Sequence, residues 1–394
     1  MRQSIQTHAK EIAPKVQAWR HHLHAHPELS FQEYETAAFV SQALHHLDIG
    51  HTTGIAGTGL VATIEGKNPG SKTVALRGDM DALPIQELNE VAYKSTRPGV
   101  MHACGHDVHT SCLLGAAHIL NLLKDQFEGT IKLIFQPGEE KIPGGASLLI
   151  KEGVLQNPAP QSIIGQHVMP LLPVGKVGFR EGLYMASADE IYLTIIGKGG
   201  HGAMPQFAID VVAIAAQVIT ALQQVVSRSA DPKIPSVLSF GKVIADGVTN
   251  VLPNSVYLEG TFRTMDENWR AIAHEKIRQI VEGICQSFGA RADLEIRKGY
   301  PFLKNDPVLT RKMKTAAVEY LGAANVVDLD IWMAAEDFSY YTQEIPGCFY
   351  RLGTRNEERG IVSGVHTPTF DIDEDALETG CGLLAWLAVK ELDG

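Results

Sequence analysis

Three apolar runs in this chain break off into acids or histidine: TVALRGDMD, TIKLIFQPGEE and SIIGQHV. They constrain the fold more than any other feature. A fourth run, GLVATIEG, precedes them, and HTSCLLGAAHILNLLK, with helical apolar spacing, lies between two of them. Short apolar runs alternating with helical patterns predict an α/β domain with a mostly parallel sheet. In such sheets ligands bind beyond the carboxyl ends of the strands. The polar residues that end these runs are therefore the first candidates for a site.

The pattern changes in the middle. EIYLTIIG reads as a strand, FAIDVVAIAAQVITALQQVV as a long helix, and SVLSFGKVIA and SVYLEGTFRT as strands. ENWRAIAHEKIRQIVEGICQSFG then reads as a helix and ADLEIRKG as a strand, giving the β-α-β-β-α-β order of a ferredoxin-like unit. After it the first pattern resumes, with helix PVLTRKMKTAAVEYLG, strand GCFYRLG and helix EDALETGCGLLAWLAVKEL. We expect an α/β domain over 1–183 and 297–394, interrupted by a smaller inserted domain over 184–296. At 394 residues the chain exceeds the roughly 250–300 at which one core usually splits. At the start, a helix is expected near residues 5–25, and Ser30 is the expected N-cap of the helix in SFQEYETAAFVSQALHHL.

Net charge is −11, and no block of Lys or Arg stands out, which argues against a nucleic-acid groove. No run of about 18 apolar residues suggests a membrane span, and the N-terminus shows no apolar signal region. The cysteines, Cys104, Cys112, Cys285, Cys348 and Cys381, are odd in number and widely spaced. That is no disulfide framework, and it points to a cytoplasmic protein.

MHACGHDVHT concentrates metal-ligating residues: His102, Cys104, His106, Asp107 and His109. Cys104 and His106, two apart, would share one side of an extended segment, and Asp107 could cap the following helix. A buried cysteine beside a surface histidine is the plain alternative. It loses ground because Glu140, His167 and His366 occupy similar strand-end or loop positions. His102 and His109 stay open, with orientation of a ligand one option. Glu139 and Glu140 are adjacent, so their side chains diverge: one can hold a metal while the other takes a proton from water. Asp79 and Asp81 can ligate directly or accept the free N–H of a ligand histidine, the plain alternative being a strand-end turn. Thiolate, imidazole and carboxylate together favour zinc, nickel, cobalt or manganese. The chain lacks the close CxxC pairs of a closed structural zinc site, so an open catalytic site fits better.

GKGGHG matches a dinucleotide fingerprint, yet the point about 20 positions later, where an acidic residue is expected, falls within a helix, and the only early acid is Asp210. His201 within it, held out on a glycine-flanked loop, is the more interesting residue.

Taken together, MHACGHDVHTSCLLGAA, RGDMDALPI, FQPGEE, GQHV, GKGGHGAMP, NVLPN, GTFRT, AAEDFS and GVHTPTFDID resemble the M20 metallopeptidases. The likeness is to their amidohydrolase branch of hippurate hydrolases, aminoacylases and indole-acetyl-amino-acid hydrolases, and it runs over nearly the whole chain. The resemblance implies a catalytic α/β domain holding two divalent metals, interrupted by a ferredoxin-like lid that also forms a homodimer. It places the metal ligands on Cys104, His106, Glu140, His167 and His366, and the general base on Glu139. It makes Asp81 a supporting aspartate. His201 would steady the oxyanion in the other subunit's site, and Asn250 and Arg263 would contact substrate. Many M20 peptidases carry H-x-D where this chain has Asp79-Met80-Asp81, which leaves the role of Asp79 and the identity of the bridging ligand open. The implied reaction is hydrolysis of an N-acyl amino acid. The alternatives are a dipeptidase or carboxypeptidase using the same centre, and a non-catalytic binder on this scaffold.

Overall fold

Helix Arg2–Ala25 turns Ile5, Ala9, Ile12, Val16, Trp19 and Leu23 to one side at three- and four-residue spacing, and all are buried. It packs with helices His106–Leu122 and Asp375–Leu392, which are buried along most of their length. This computed structural model describes residues 1–393. The chain divides into two compact units. The first comprises Met1–Tyr184, Lys304–Ile331 and the chain from Asp337 onward; the second comprises Met185–Leu303 and Trp332–Glu336.

The first unit is α/β. Among the described residues its main sheet has eight strands, in the order His51–Ile55, Gly59–Glu65, Thr130–Gln136, Thr73–Asp79, Ser162–Pro173, Gly347–Arg355, Val177–Phe179 and Val326–Asp328. The central four pair in parallel and antiparallel pairing is confined to the flanks, apart from the parallel outermost pair Val177–Phe179 and Val326–Asp328. Strands Thr73–Asp79 and Thr130–Gln136 are buried at every position, as expected of strands covered on both faces. Their carboxyl ends bring Asp79 and the turn to Glu139 and Glu140 to one edge.

Two local expectations change. Helix Tyr34–His46 is preceded by Glu33 at the N-cap position, not by Ser30. Ser30 instead donates its hydroxyl to Asp81 Oδ2 at 2.6 Å. His167 does not end its strand, which continues to Pro173, because Gly347–Arg355 keeps pairing with it as far as Arg355 opposite Pro173. Pairing with Thr73–Asp79 stops at Arg77 opposite Gly165, so His167 still lies level with the end of that neighbour.

The second unit has the β-α-β-β-α-β order. Its antiparallel sheet runs Ser236–Ile244, Ser255–Thr264, Asp189–Ile196, Arg291–Lys298. Alternate residues of Asp189–Ile196 are buried, and Ile191, Leu193 and Ile195 meet the apolar stripes of two helices. The first of these begins at Val211, four residues later than the sequence pattern suggests, because the Asp210 carboxylate accepts from the amides of Val212 and Ala213 at 3.0 and 3.2 Å. The stretch Val211–Ser229 is long and apolar enough to cross a membrane, contrary to the sequence expectation. Its Val211, Ile214, Ala215, Val218 and Leu222 nevertheless pack into this unit's core.

Candidate metal centre

The segment before helix His106–Leu122 is a tight turn, not the extended stretch expected. Gly105 is the N-cap residue with φ +84°, and a Cβ there would lie 2.5 Å from Val168 Cγ2. Only glycine lets this turn lie against strand Ser162–Pro173. Cys104 sits just before the turn, and His106 opens the helix. Asp107 does not cap that helix; its carboxylate turns the other way, to Arg20 Nε and His24 Nδ1, both at 2.9 Å.

Asp81 organises the neighbouring loops. It accepts the Ser30 hydroxyl and the amides of Glu139 and Glu140, each amide at 3.0 Å. His106 Nδ1 lies 2.9 Å from the Asp81 carbonyl and 3.1 Å from its carboxylate. Both are acceptors, so Nδ1 carries a proton and Nε2 is the nitrogen that would hold a cation in place of its own proton. Burial would raise the Asp81 pKa, but His106, Ser30 and the Glu140 amide hold it below the usual value.

The remaining predicted ligands converge here. Cys104 Sγ is 3.4 Å from His167 Nε2 and 3.3 Å from His366 Nε2. Glu140 Oε1 is 3.3 Å from His366 Nε2 and 3.9 Å from His106 Nε2. Among the described residues five groups have donor atoms within 4.8 Å of one another, and three of them consist of the predicted ligands and base alone: Cys104–His106–His167, Cys104–Glu140–His366 and His106–Glu139–Glu140. His366 is held by its amide on the Ala103 carbonyl at 2.7 Å and has φ +62°, a left-handed conformation uncommon outside glycine. Such an outlier at a cluster of ligating side chains is a mark of function.

The donors fit a divalent cation. His106 Nε2 and Glu140 Oε1 are buried with no hydrogen-bond partner among the described residues. Burial opposes a proton on His106, yet Asp79, Asp81 and Glu140 draw its pKa up to about 10. Burial, then Glu140, Glu139 and Asp79, push the Cys104 thiol well above its ordinary value. A pocket that draws a proton to imidazole and resists a thiolate is short of positive charge. Zinc, manganese, nickel or cobalt would supply it, with ligands suited to this mixed set.

Several participants carried no assigned role in the sequence. Arg77, fully buried, donates to Asp79 Oδ2 at 2.5 Å and to Asp337 Oδ1 at 2.8 Å. Burial would raise the Asp79 pKa, but Arg77, His106 and His109 keep it well below the carboxylate range. Asp337 also accepts from Gln136 and from the Ala146 amide, and its own amide points to Glu139 Oε1 at 3.4 Å. The one signal for Arg77 was a lone charge inside an otherwise apolar run. His109, left open from sequence, is bonded through both ring nitrogens, to Asp79 and to the Val168 amide.

The second unit brings His201 and Asn250 together. His201 pairs with Val251 across a short ladder, and the Gly202 amide donates to the Asn250 carbonyl at 2.8 Å. His201 is exposed, and its Nδ1 accepts from the Ala203 amide at 3.1 Å, which leaves the proton on Nε2. The GKGGHG segment thus belongs to an antiparallel arrangement, not to a dinucleotide-binding crossover. Arg263 is half-buried, and its Nε donates to Thr261 Oγ1 at 3.1 Å.

Residues 75–390 match the model of Peptidase family M20/M25/M40. The N-acyl-L-amino acid amidohydrolase of Geobacillus stearothermophilus is 46% identical over 302 residues, 76% of this chain and 80% of that protein. Thermostable carboxypeptidase 2 of Saccharolobus solfataricus is 38% identical over 98% of both chains. The crystal structure of the Bacillus subtilis YXEP protein, a dinuclear metal binding peptidase from the M20 family, superposes with a TM-score of 0.83 at 36% identity, covering 98% of this chain and 99% of that one.

Proposed function

This chain belongs to peptidase family M20/M25/M40 and is a hydrolase, and from that premise we propose that it cleaves the amide bond of N-acyl amino acids, releasing a carboxylate and a free amino acid. The observation that carries the reading is the pair of orphaned buried donors, His106 Nε2 and Glu140 Oε1, beside Glu139. Two divalent ions would be held by Cys104, His106, Glu140, His167 and His366. When bound, such ions supply Lewis acidity, which polarises the scissile carbonyl and acidifies a water molecule.

The chain's own residues do the rest. Asp81 fixes Glu139 and Glu140 by their amides, so both carboxylates stay at the sheet edge. Glu139 takes a proton from the attacking water as its oxygen bonds to the amide carbon. Glu139 then returns that proton to the leaving nitrogen as the C–N bond breaks. His201, with its proton on Nε2, donates to the developing oxyanion across a homodimer, an interaction often worth about 3–4 kcal/mol per donor. Asn250 and Arg263 hold the substrate, Arg263 by its carboxylate. The five cysteines are unpaired thiols, which suits a reducing cytoplasm.

A second reading, cleavage of a terminal peptide bond by the same centre, is favoured by the likeness to a carboxypeptidase over nearly the full chain. Parallel assays on N-acetyl amino acids, N-benzoyl amino acids and dipeptides separate the two. We expect turnover of the acyl substrates, lost on chelation and regained with metal; turnover of dipeptides alone selects the second reading. Mixing inactive His201→Ala with inactive Glu139→Gln protein should restore some activity through hybrid dimers. Failure despite proven subunit exchange would remove His201 from the other subunit's site.

A further inference from the structure

We propose that Asp79 is a positioning residue, clamped by Arg77, which orients His167 by holding His109 against the Val168 backbone. This rests on the reading of His167 as a metal ligand and says what holds it ready.

Four hydrogen bonds make the chain, and the chemistry of each end sets their directions. The Val168 amide points at His109 Nε2 at 2.9 Å. An amide can only donate, so that nitrogen is bare and the His109 proton sits on Nδ1. Nδ1 lies 2.6 Å from Asp79 Oδ1, which accepts it. The other Asp79 oxygen takes Arg77 at 2.5 Å. Beyond the peptide, the Val168 carbonyl lies 2.8 Å from His167 Nδ1. A carbonyl can only accept, so His167 is protonated on Nδ1, and its bare Nε2 lies 3.4 Å from Cys104 Sγ. The Val168 N–H and C=O lie in successive peptide units on either side of its Cα, so what passes from His109 to His167 is the placement of the Val168 backbone, and the rings lie 4.5 Å apart between centroids.

The same geometry answers whether Asp79 ligates. Asp79, His106 and His109 are close enough to form a metal group. However, both His109 nitrogens are taken, so His109 offers no ligand atom, and each Asp79 oxygen already accepts a charged or ring N–H. These two residues act behind a ligand, an arrangement whose loss typically costs about 10–100-fold in metal affinity.

The test begins with the metal-free wild-type chain, labelled with nitrogen-15 at histidine, since the ring nitrogens resonate apart according to which bears the proton. We expect His109 and His167 both protonated on Nδ1. A His167 protonated on Nε2 would overturn the proposal, and this result needs no variant to fold. Next, zinc affinity is measured by chelator competition for His109→Leu and His109→Gln, with circular dichroism reporting the fold. Gln can still accept from the Val168 amide; Leu cannot. Weakening by about 10–100-fold in Leu, with most of the affinity restored in Gln, supports the proposal. Equal affinities in both variants contradict it. Asp79→Asn should likewise weaken zinc binding with the fold intact, and an unchanged affinity counts against the proposal. If the wild type binds no zinc, the metal reading fails while the tautomers still decide this one.

Discussion

His106 and Asp107 are neighbours in sequence and face two buried ionic clusters of opposite character. On the Asp107 side every acid meets a cationic partner. Arg20 lies 2.9 Å from Asp107, 2.7 Å from Asp371 and 3.1 Å from Glu374, and His24 bridges Asp107 and Glu87. On the His106 side, Glu140 meets no arginine or lysine among the described residues: His366 and His106 lie at 3.3 and 3.9 Å, with Cys104 and Glu139 beside them. Among the described residues Glu140 Oε1 and, on the other side, Asp107 Oδ1 both lack a hydrogen-bond partner, but the Asp107 carboxylate is already matched by Arg20. A buried cluster whose charges are matched from within holds the fold together. One left short of positive charge awaits a ligand.

The comparison can be broken most forcefully at Glu139. Glu139→Gln should lower kcat by about 10²–10⁴-fold while metal content and melting temperature stay as they were. Near-normal turnover would remove Glu139 as the base. On the other side, Arg20→Met leaves Asp107 buried without its guanidinium and should cost about 3–5 kcal/mol of stability by urea unfolding. The fraction that folds should keep its metal, and loss of metal without loss of stability would mean the two clusters are not separate. A finer cut is His366→Ala. Its side chain is 52% exposed, so the metal-free chain should keep its stability within about 0.5 kcal/mol while zinc affinity falls.

The smallest effect is one of pH, measured on the metal-free chain. Burial alone would raise the Asp107 pKa, but Arg20 and His24 hold it well below the ordinary range. Its stabilisation is thus present above the unfolded value of about 3.9 and lost as pH falls through the folded one. Burial disfavours charge on His24, yet Asp107 and Glu87 keep its pKa raised. Its contribution is complete below the unfolded value of about 6.5 and is lost as pH rises through the folded one. Melting temperature should therefore sag modestly above neutrality, and His24→Gln should flatten that sag. An unchanged slope in the variant would assign it to other groups.

Much of this was legible because strands end abruptly. Apolar runs stopping at Asp79, at Glu139 and near His167 announced both the sheet and its functional edge, since pairing in parallel places those ends side by side. The helix caps were less legible. Ser30 fits the preferred cap chemistry, but the bond to Asp81 claims its hydroxyl. The left-handed turn at Gly105 depends on Val168, which lies on a strand far along the chain. Least legible were the partners of buried arginines. Arg77 meets Asp337, and Arg20 meets Asp371 and Glu374, across separations of 260, 351 and 354 positions. No local pattern encodes such a meeting; only an arginine amid apolar neighbours hints that an acid must come to it.

The most direct measurement of the central claim is metal content by elemental analysis, after the metal-free chain is dialysed against zinc or manganese and melted alongside its untreated form. The account predicts about two ions per chain and a higher melting temperature when they are bound, because ions that bind only the folded state stabilise it. No bound metal and no shift in melting would contradict it, and would leave the orphaned atoms of His106 and Glu140 without a cation to explain them.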